Sequence, residues 1–162
     1  TTRRVMFLHG SLILLRRLKL FDFSQLFIYP NSCCIMHDEV IAVYEKEEDI
    51  SSLRNRLKQF SFDDLIKHPH FYYSLDEKII ELQFIKEKYK EFDKIKLITR
   101  RKHIKSQKIS YDFYYQLDNN YYIIYSIDLN IEKPVLINDY YVERNFKRYK
   151  DWLIKDYRKN YQ

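Results

Sequence analysis

The sequence predicts an α+β protein, with an antiparallel β-meander and a hairpin packed against three to four helices in a single domain over residues 1–162. Three observations lead there. Short runs rich in β-formers alternate with turn clusters between residues 25 and 45. An apolar stripe of helical period, opened by a start signal, begins at Ser74. The tyrosine-rich stretch "KISYDFYYQLDNNYYIIYSIDLN", residues 108–130, alternates as two paired strands do.

A chain of 162 residues with 46% apolar and 32% charged side chains can bury a sizeable core. One Gly (Gly10), one Ala (Ala42) and three Pro stand against 16 Tyr. Residues with GC-rich codons are rare here and those with AT-rich codons abundant, the pattern of an AT-rich genome. Tyrosine abundance alone therefore carries no functional information.

The elements follow in order. The chain begins at Thr1, as a processed or partial chain would. "RRVMFLHGSLILLRR" has basic flanks around an apolar run from Val5 to Leu15, too short to span a bilayer. The basic apolar N-terminal segment, residues 1–21, is acid-free and Arg-rich like a mitochondrial presequence, but a buried first helix or strand is the preferred reading. "QLFIY", "CCIM" and "VIAVYE" make the meander, parted by Pro30-Asn31-Ser32 and His37-Asp38-Glu39. Ile50, Leu53, Leu57 and Phe60 then recur at helical spacing behind Asp49, a capping candidate. A short helical piece is expected from Ser61 to the break at Pro69.

Ser74 with Glu77 forms a capping box, and Leu75, Ile79, Leu82, Ile85, Tyr89 and Phe92 make one stripe of a single helix. A final helix is expected from Asp139 to Lys159, with Val142, Phe146, Tyr149, Leu153 and Tyr157 on its apolar face.

The hairpin can be registered from its own pattern. A three-residue loop, Asp118-Asn119-Asn120, places Tyr115 opposite Ile123, Phe113 opposite Tyr125, Tyr111 opposite Ile127 and Ile109 opposite Leu129. Every pair on that face is apolar or aromatic, whereas a two-residue loop mixes the faces. A left-handed Asn is expected at the last loop position. On the other face Tyr114 and Tyr122 could stack bases, but packing against a helix is the preferred reading, because their neighbours are Asp, Ser and Gln.

Asp112 and Asp128 are diagonal neighbours on that second face and candidates for sharing a divalent cation. A helix followed by a hairpin with Asp112 on its first strand resembles the restriction-endonuclease-like fold over about residues 74–160. That family carries a Glu-x-Lys pair on the second strand. The matching positions here hold Ser126 and Asp128, so the resemblance implies a catalytically degenerate relative.

Charge is unevenly spread. Residues 22–92 carry nine cations and 14 acids, while residues 93–162 carry 15 and nine. The basic C-terminal half, 94–162, includes an acid-free run with Lys94, Lys96, Arg100, Arg101, Lys102, His103, Lys105 and Lys108. Arg100 and Arg101 are expected to grip one phosphate together. The final helix adds Arg144, Lys147, Arg148, Lys150, Lys155, Arg158 and Lys159. Phosphate oxygens are the natural partner of such a field, which predicts backbone contact without base readout.

Catalytic signals are sparse. A chain with one glycine holds no Gly-rich phosphate loop, and no Ser or Cys sits in a nucleophile signature. His68-Pro69-His70 reads as a turn, because the proline splays the two rings and no third ligand has fixed spacing. Cys33-Cys34 offers no CxxC spacing, which favours a reducing, intracellular compartment, either cytoplasm or a mitochondrial or other organellar matrix.

The expectation is therefore a basic, non-catalytic nucleic-acid-binding protein with no cofactor and no membrane span. It would hold RNA ahead of DNA, as a small subunit of a ribonucleoprotein such as an organellar ribosome, with other protein subunits as further partners. The alternatives are a protein–protein interaction module (a viral or phage effector, or a complex subunit) and the degenerate endonuclease-like domain.

Overall fold

Six strands form one sheet in the order β1-β3-β4-β5-β6-β2, antiparallel except at β2. The computed structural model describes residues 38–161 apart from 79 and 131. These fall in a compact unit, Met36–Gln162, so the expectation of one domain from residue 1 extends outside it. The Val5–Leu15 run, "QLFIY", "CCIM" and the cysteine pair lie outside the described residues. The strands are β1 (Asp38–Tyr44), β2 (Ile66–Lys67), β3 (Ile95–His103), β4 (Ile109–Gln116), β5 (Tyr121–Asp128) and β6 (Val135–Glu143). Four helices accompany them among the described residues: α1 (Glu47–Leu57), α2 (Pro69–Lys78), α3 (Leu82–Tyr89) and α4 (Phe146–Tyr161).

β1 is the third strand of the expected meander, but Asp38 and Glu39, read as turn residues, already pair with His103 and Lys102. α1 begins at Glu47, two residues before the expected cap. Glu47, Glu48 and Asp49 all fall in its first turn, where acids meet the positive end of the helix dipole. The expected helix from Ser61 to Pro69 reduces to a 3-10 turn, Phe62–Asp64, and the short strand β2. Ser61 opens that turn with a capping box, its backbone N–H and hydroxyl both meeting Asp64 Oδ2, at 2.8 and 2.6 Å.

The helix expected from Ser74 is two helices. α2 starts at Pro69, whose fixed φ and missing N–H suit a first helical position. Ser74 therefore lies buried inside α2 and does not mark its start. The chain leaves helical structure before Glu81, and Leu82, expected on the buried stripe, is exposed.

β4 and β5 pair in the expected register: Tyr111 with Ile127, Phe113 with Tyr125, Tyr115 with Ile123. Phe113, Tyr115, Tyr125 and Ile127 are fully buried beneath α1, α2 and α3, where Tyr125 Oη donates to the Ile85 carbonyl at 2.7 Å. The loop differs in one respect. No loop residue has positive φ; the Asp118 carboxylate instead accepts the Asn120 and Tyr121 N–H groups, at 2.7 and 2.9 Å. An Asx turn thus replaces the expected left-handed Asn.

The expected final helix is shorter, because residues 135–143 are β6. α4 begins after Asn145, whose Oδ1 accepts the Arg148 N–H at 3.0 Å, an N-cap bond. It lies on the sheet face opposite the main core. There Phe146 and Leu153 pack with Leu97, Tyr114, Tyr122 and Ile124 in a second apolar cluster that Tyr149 borders. Tyr114 and Tyr122 are buried under this helix and offer no face to a base. A β-bulge at Ile41 turns its carbonyl to Tyr157 Oη at 3.2 Å, fixing the far end of α4 on β1.

Candidate functional site

The acid-free run maps mostly onto β3, and the strand divides it. Thr99 pairs with Asp112 and Arg101 with Ser110, so Arg101 and His103 share the face that carries α4. Arg100, opposite Tyr111, and Lys102, opposite Ile109, share the other. Arg100 and Arg101 therefore cannot close on one phosphate as expected. Lys94 is half-buried in the 3-10 turn before β3, and Lys96 is exposed at a bulge. His103 is a turn-former: its Nδ1 accepts the Ser106 N–H at 3.1 Å, shaping the exposed turn that holds Lys105 and Lys108. Gln107 closes that turn at φ 58°, the one non-glycine residue with positive φ among those described.

Beneath the edge of α4 a polar row crosses four strands: Thr99, Asp112, Ser126 and Asn138 lie in register and all are buried. Ser126 Oγ donates to Asp112 Oδ1 at 2.6 Å, and Arg101 Nε stands 2.5 Å from Asp112 Oδ2. The carboxylate beside it raises the Arg101 guanidinium well above its usual range. Asp128 Oδ1 instead accepts the backbone N–H and side-chain amide of Asn130, at 2.9 and 3.1 Å. The two aspartates thus have separate partners, the geometry of structural anchors. Among the described residues no group of three or more His, Cys, Asp or Glu converges as a metal site. His68 Nδ1 accepts the His70 N–H at 3.2 Å at the entry to α2, as a turn residue would.

α4 gathers the remaining cations. It carries Lys147, Arg148, Lys150, Lys155, Arg158 and Lys159 against Asp151 and Asp156. Arg148, Lys155 and Lys159 lie on its exposed side at helical spacing, with the exposed Asp151 on the same stripe between the first two. Arg158 is paired with Glu45 at 2.6 Å, and Lys150 Nζ donates to the Lys96 carbonyl at 3.4 Å. Arg144, exposed just before the helix, joins Asn145, Arg148, Tyr149 and Trp152 around an open concavity of about 340 Å³.

No protein-family model matches this chain, and no curated protein or solved structure does. The site therefore rests on its own chemistry.

That chemistry is cationic and aromatic. Trp152, 53% exposed, meets Tyr149 with ring centroids 5.9 Å apart, and Tyr149 stacks on Tyr122 at 5.5 Å and 27°. Burial, with Tyr114 close by, pushes the Tyr149 phenol far above its ordinary range, so it stays neutral. A charged helix thus displays an indole at the end of a packed aromatic ladder. Trp152 is not among the residues that the charge pattern of the sequence singles out. The available signal was its spacing, four residues after Arg148 and three before Lys155, on the polar side of the helix. Among the described residues no helix is long and apolar enough to cross a membrane.

Proposed function

We propose that the protein is a non-catalytic nucleic-acid-binding protein that grips the sugar–phosphate backbone, RNA ahead of DNA, as a small basic subunit of a ribonucleoprotein. An organellar ribosome is one such setting, in an organellar matrix or the cytoplasm. The observation that carries this reading is the exposed line of Arg148, Lys155 and Lys159 on α4, a helix whose six cations outnumber its two acids. Cations at i, i+7 and i+11 on one side of a helix can meet phosphates along a strand with no need for base contact. The exposed Lys105 and Lys108 of the β3–β4 turn add a second patch at the end of the sheet.

One observation favours a protein partner instead: Tyr72 and Tyr73 stand side by side on α2, 51% and 72% exposed. A salt titration separates the two. Counterion release makes nucleic-acid affinity fall linearly on a log–log plot by roughly 0.7–0.9 per phosphate neutralised. The wild-type chain should bind two unrelated RNAs and a DNA duplex with similar steep slopes. Absence of binding at low salt would overturn the reading, and salt-tolerant binding to a protein would replace it.

A further inference from the structure

We infer that Trp152, Arg144 and Arg148 form a subsite for one nucleotide of a single-stranded nucleic acid, the indole stacking on the unpaired base while the guanidiniums hold its phosphate. The inference rests on the proposed nucleic-acid function and adds to it a preference for single strands.

Three features of the concavity point to this ligand. Trp152 has support on one side and an open approach on the other. The Tyr122–Tyr149–Trp152 ladder holds the indole from below, and it remains 53% exposed. A ring fixed in this way loses little freedom when a second flat ring lies on it. Next, the lining holds two arginines and no acid: Arg144, Asn145, Arg148, Tyr149 and Trp152. Neither guanidinium makes an ion pair with a described residue. At the helix start Asn145 Oδ1 takes the Arg148 N–H at 3.0 Å and the Asn119 carbonyl takes the Phe146 N–H at 2.9 Å, so the two guanidiniums are the main donors to an anion here.

The spacing is the third feature. Arg148 and Trp152 lie one helical turn apart, with about 5–6 Å expected between their Cβ atoms. A cation and a flat ring that close suit a ligand in which phosphate and planar base belong to one unit. Every base has a π-face, so stacking of this kind tolerates sequence. Paired bases within a duplex already stack on each other and present only their edges, which leaves single strands as the occupant. An acidic peptide could satisfy the arginines, but it brings no ring to the indole.

Trp152 is the single tryptophan of the chain, so its emission reports this site alone. The full chain is titrated at fixed salt with oligouridylate, oligoadenylate, their duplex and polyglutamate. Affinities of labelled oligonucleotides are followed in parallel by anisotropy. Both single strands should quench the emission more than the duplex. Trp152→Ala should weaken single-strand binding about 5- to 100-fold and leave the salt slope unchanged. Arg148→Ala should weaken it and flatten the slope. Trp152→Phe keeps a ring on Tyr149; it should retain an intermediate affinity, and it decides the matter if the alanine variant does not fold. Unchanged single-strand affinity in the Trp152 variants refutes the stacking site while leaving the charge-based function intact. Equal quenching by polyglutamate gives the concavity to an acidic protein. No oligonucleotide binding at low salt overturns both readings.

Discussion

Arg101 and Asp112 meet diagonally across β3 and β4, Nε to Oδ2 at 2.5 Å, with side chains 21% and 7% exposed. Ser126 holds the second carboxylate oxygen, so the acid is fully committed. Arg101 thereby changes from a candidate phosphate ligand to a support of the sheet. Removing one partner of a buried pair strands the other charge and costs about 3–5 kcal/mol. Arg101→Ala should lower the unfolding free energy by about 3 kcal/mol, the lower end of that range because the guanidinium keeps some solvent contact. Adding Asp112→Leu should recover more than half of the loss. Urea denaturation checks both variants, and a loss below about 1 kcal/mol for Arg101→Ala would contradict the pairing.

The β3–β4 turn offers a stabilising change. Gln107 sits at φ 58°, where its Cβ crowds the following carbonyl, and its N–H donates to the His103 carbonyl at 2.7 Å. Glycine adopts this conformation without that strain but gains backbone freedom in the unfolded chain. Gln107→Gly should raise stability by about 0.5–1 kcal/mol. A shift of the urea midpoint to lower concentration would refute it.

Buried phenols predict a sharp alkaline limit. Desolvation raises the pKa of Tyr89, Tyr114, Tyr115 and Tyr125, all of them buried. In the unfolded chain each would titrate near about 10. Below that pH both states keep the proton and stability is unaffected. Above it the unfolded chain releases protons that the folded chain retains, so stability falls. Each phenol contributes about 1.4 kcal/mol per pH unit, and four together remove a typical reserve of about 5–15 kcal/mol within one to three units. Tyrosinate absorbance and loss of far-ultraviolet dichroism should therefore rise together, cooperatively, above about pH 10. Gradual ionisation of these tyrosines in a chain that stays folded would contradict it.

What was legible in the sequence depended on one-sided burial. The β4–β5 register could be read because every pair from Tyr111/Ile127 to Tyr115/Ile123 is apolar, and a slip of one residue would expose them all. The start of α4 is hidden in the sequence because Val142, a β6 residue opposite Tyr122, falls by coincidence at helical spacing from Phe146 and Tyr149. Two polar residues buried in that strand, Asn138 and Asp139, further hid its alternation. Pro69 suggests a stop in the sequence although it starts α2, since either role fits a proline at a helix boundary. For the candidate site, the cations were visible but their division was not. Lys96 sits in a β-bulge that resets which residues of β3 face α4. No periodicity in the run reveals that Arg101 faces Asp112 while Arg100 faces away.

The last prediction separates the two basic patches. On α4, Arg148, Lys155 and Lys159 are exposed and free of ion pairs to described residues. Surface cations of this kind contribute within about 0.5 kcal/mol to stability, so replacing all three by glutamine should leave the fold intact. Each lost phosphate contact should flatten the slope of log affinity against log salt by roughly 0.7–0.9, about two units for the three. Replacing Lys105 and Lys108 in the β3–β4 turn should flatten it by less, about one unit or under, because two cations at a loop tip hold phosphates less firmly than a helix row. The loss should be alike for unrelated RNA sequences, since phosphates carry no sequence information. The measurement is a salt titration of wild type and both variants, with circular dichroism confirming the fold. A helix variant whose slope equals that of the wild type would move the interface off α4, and a change only in the turn variant would place it at the β3–β4 end of the sheet.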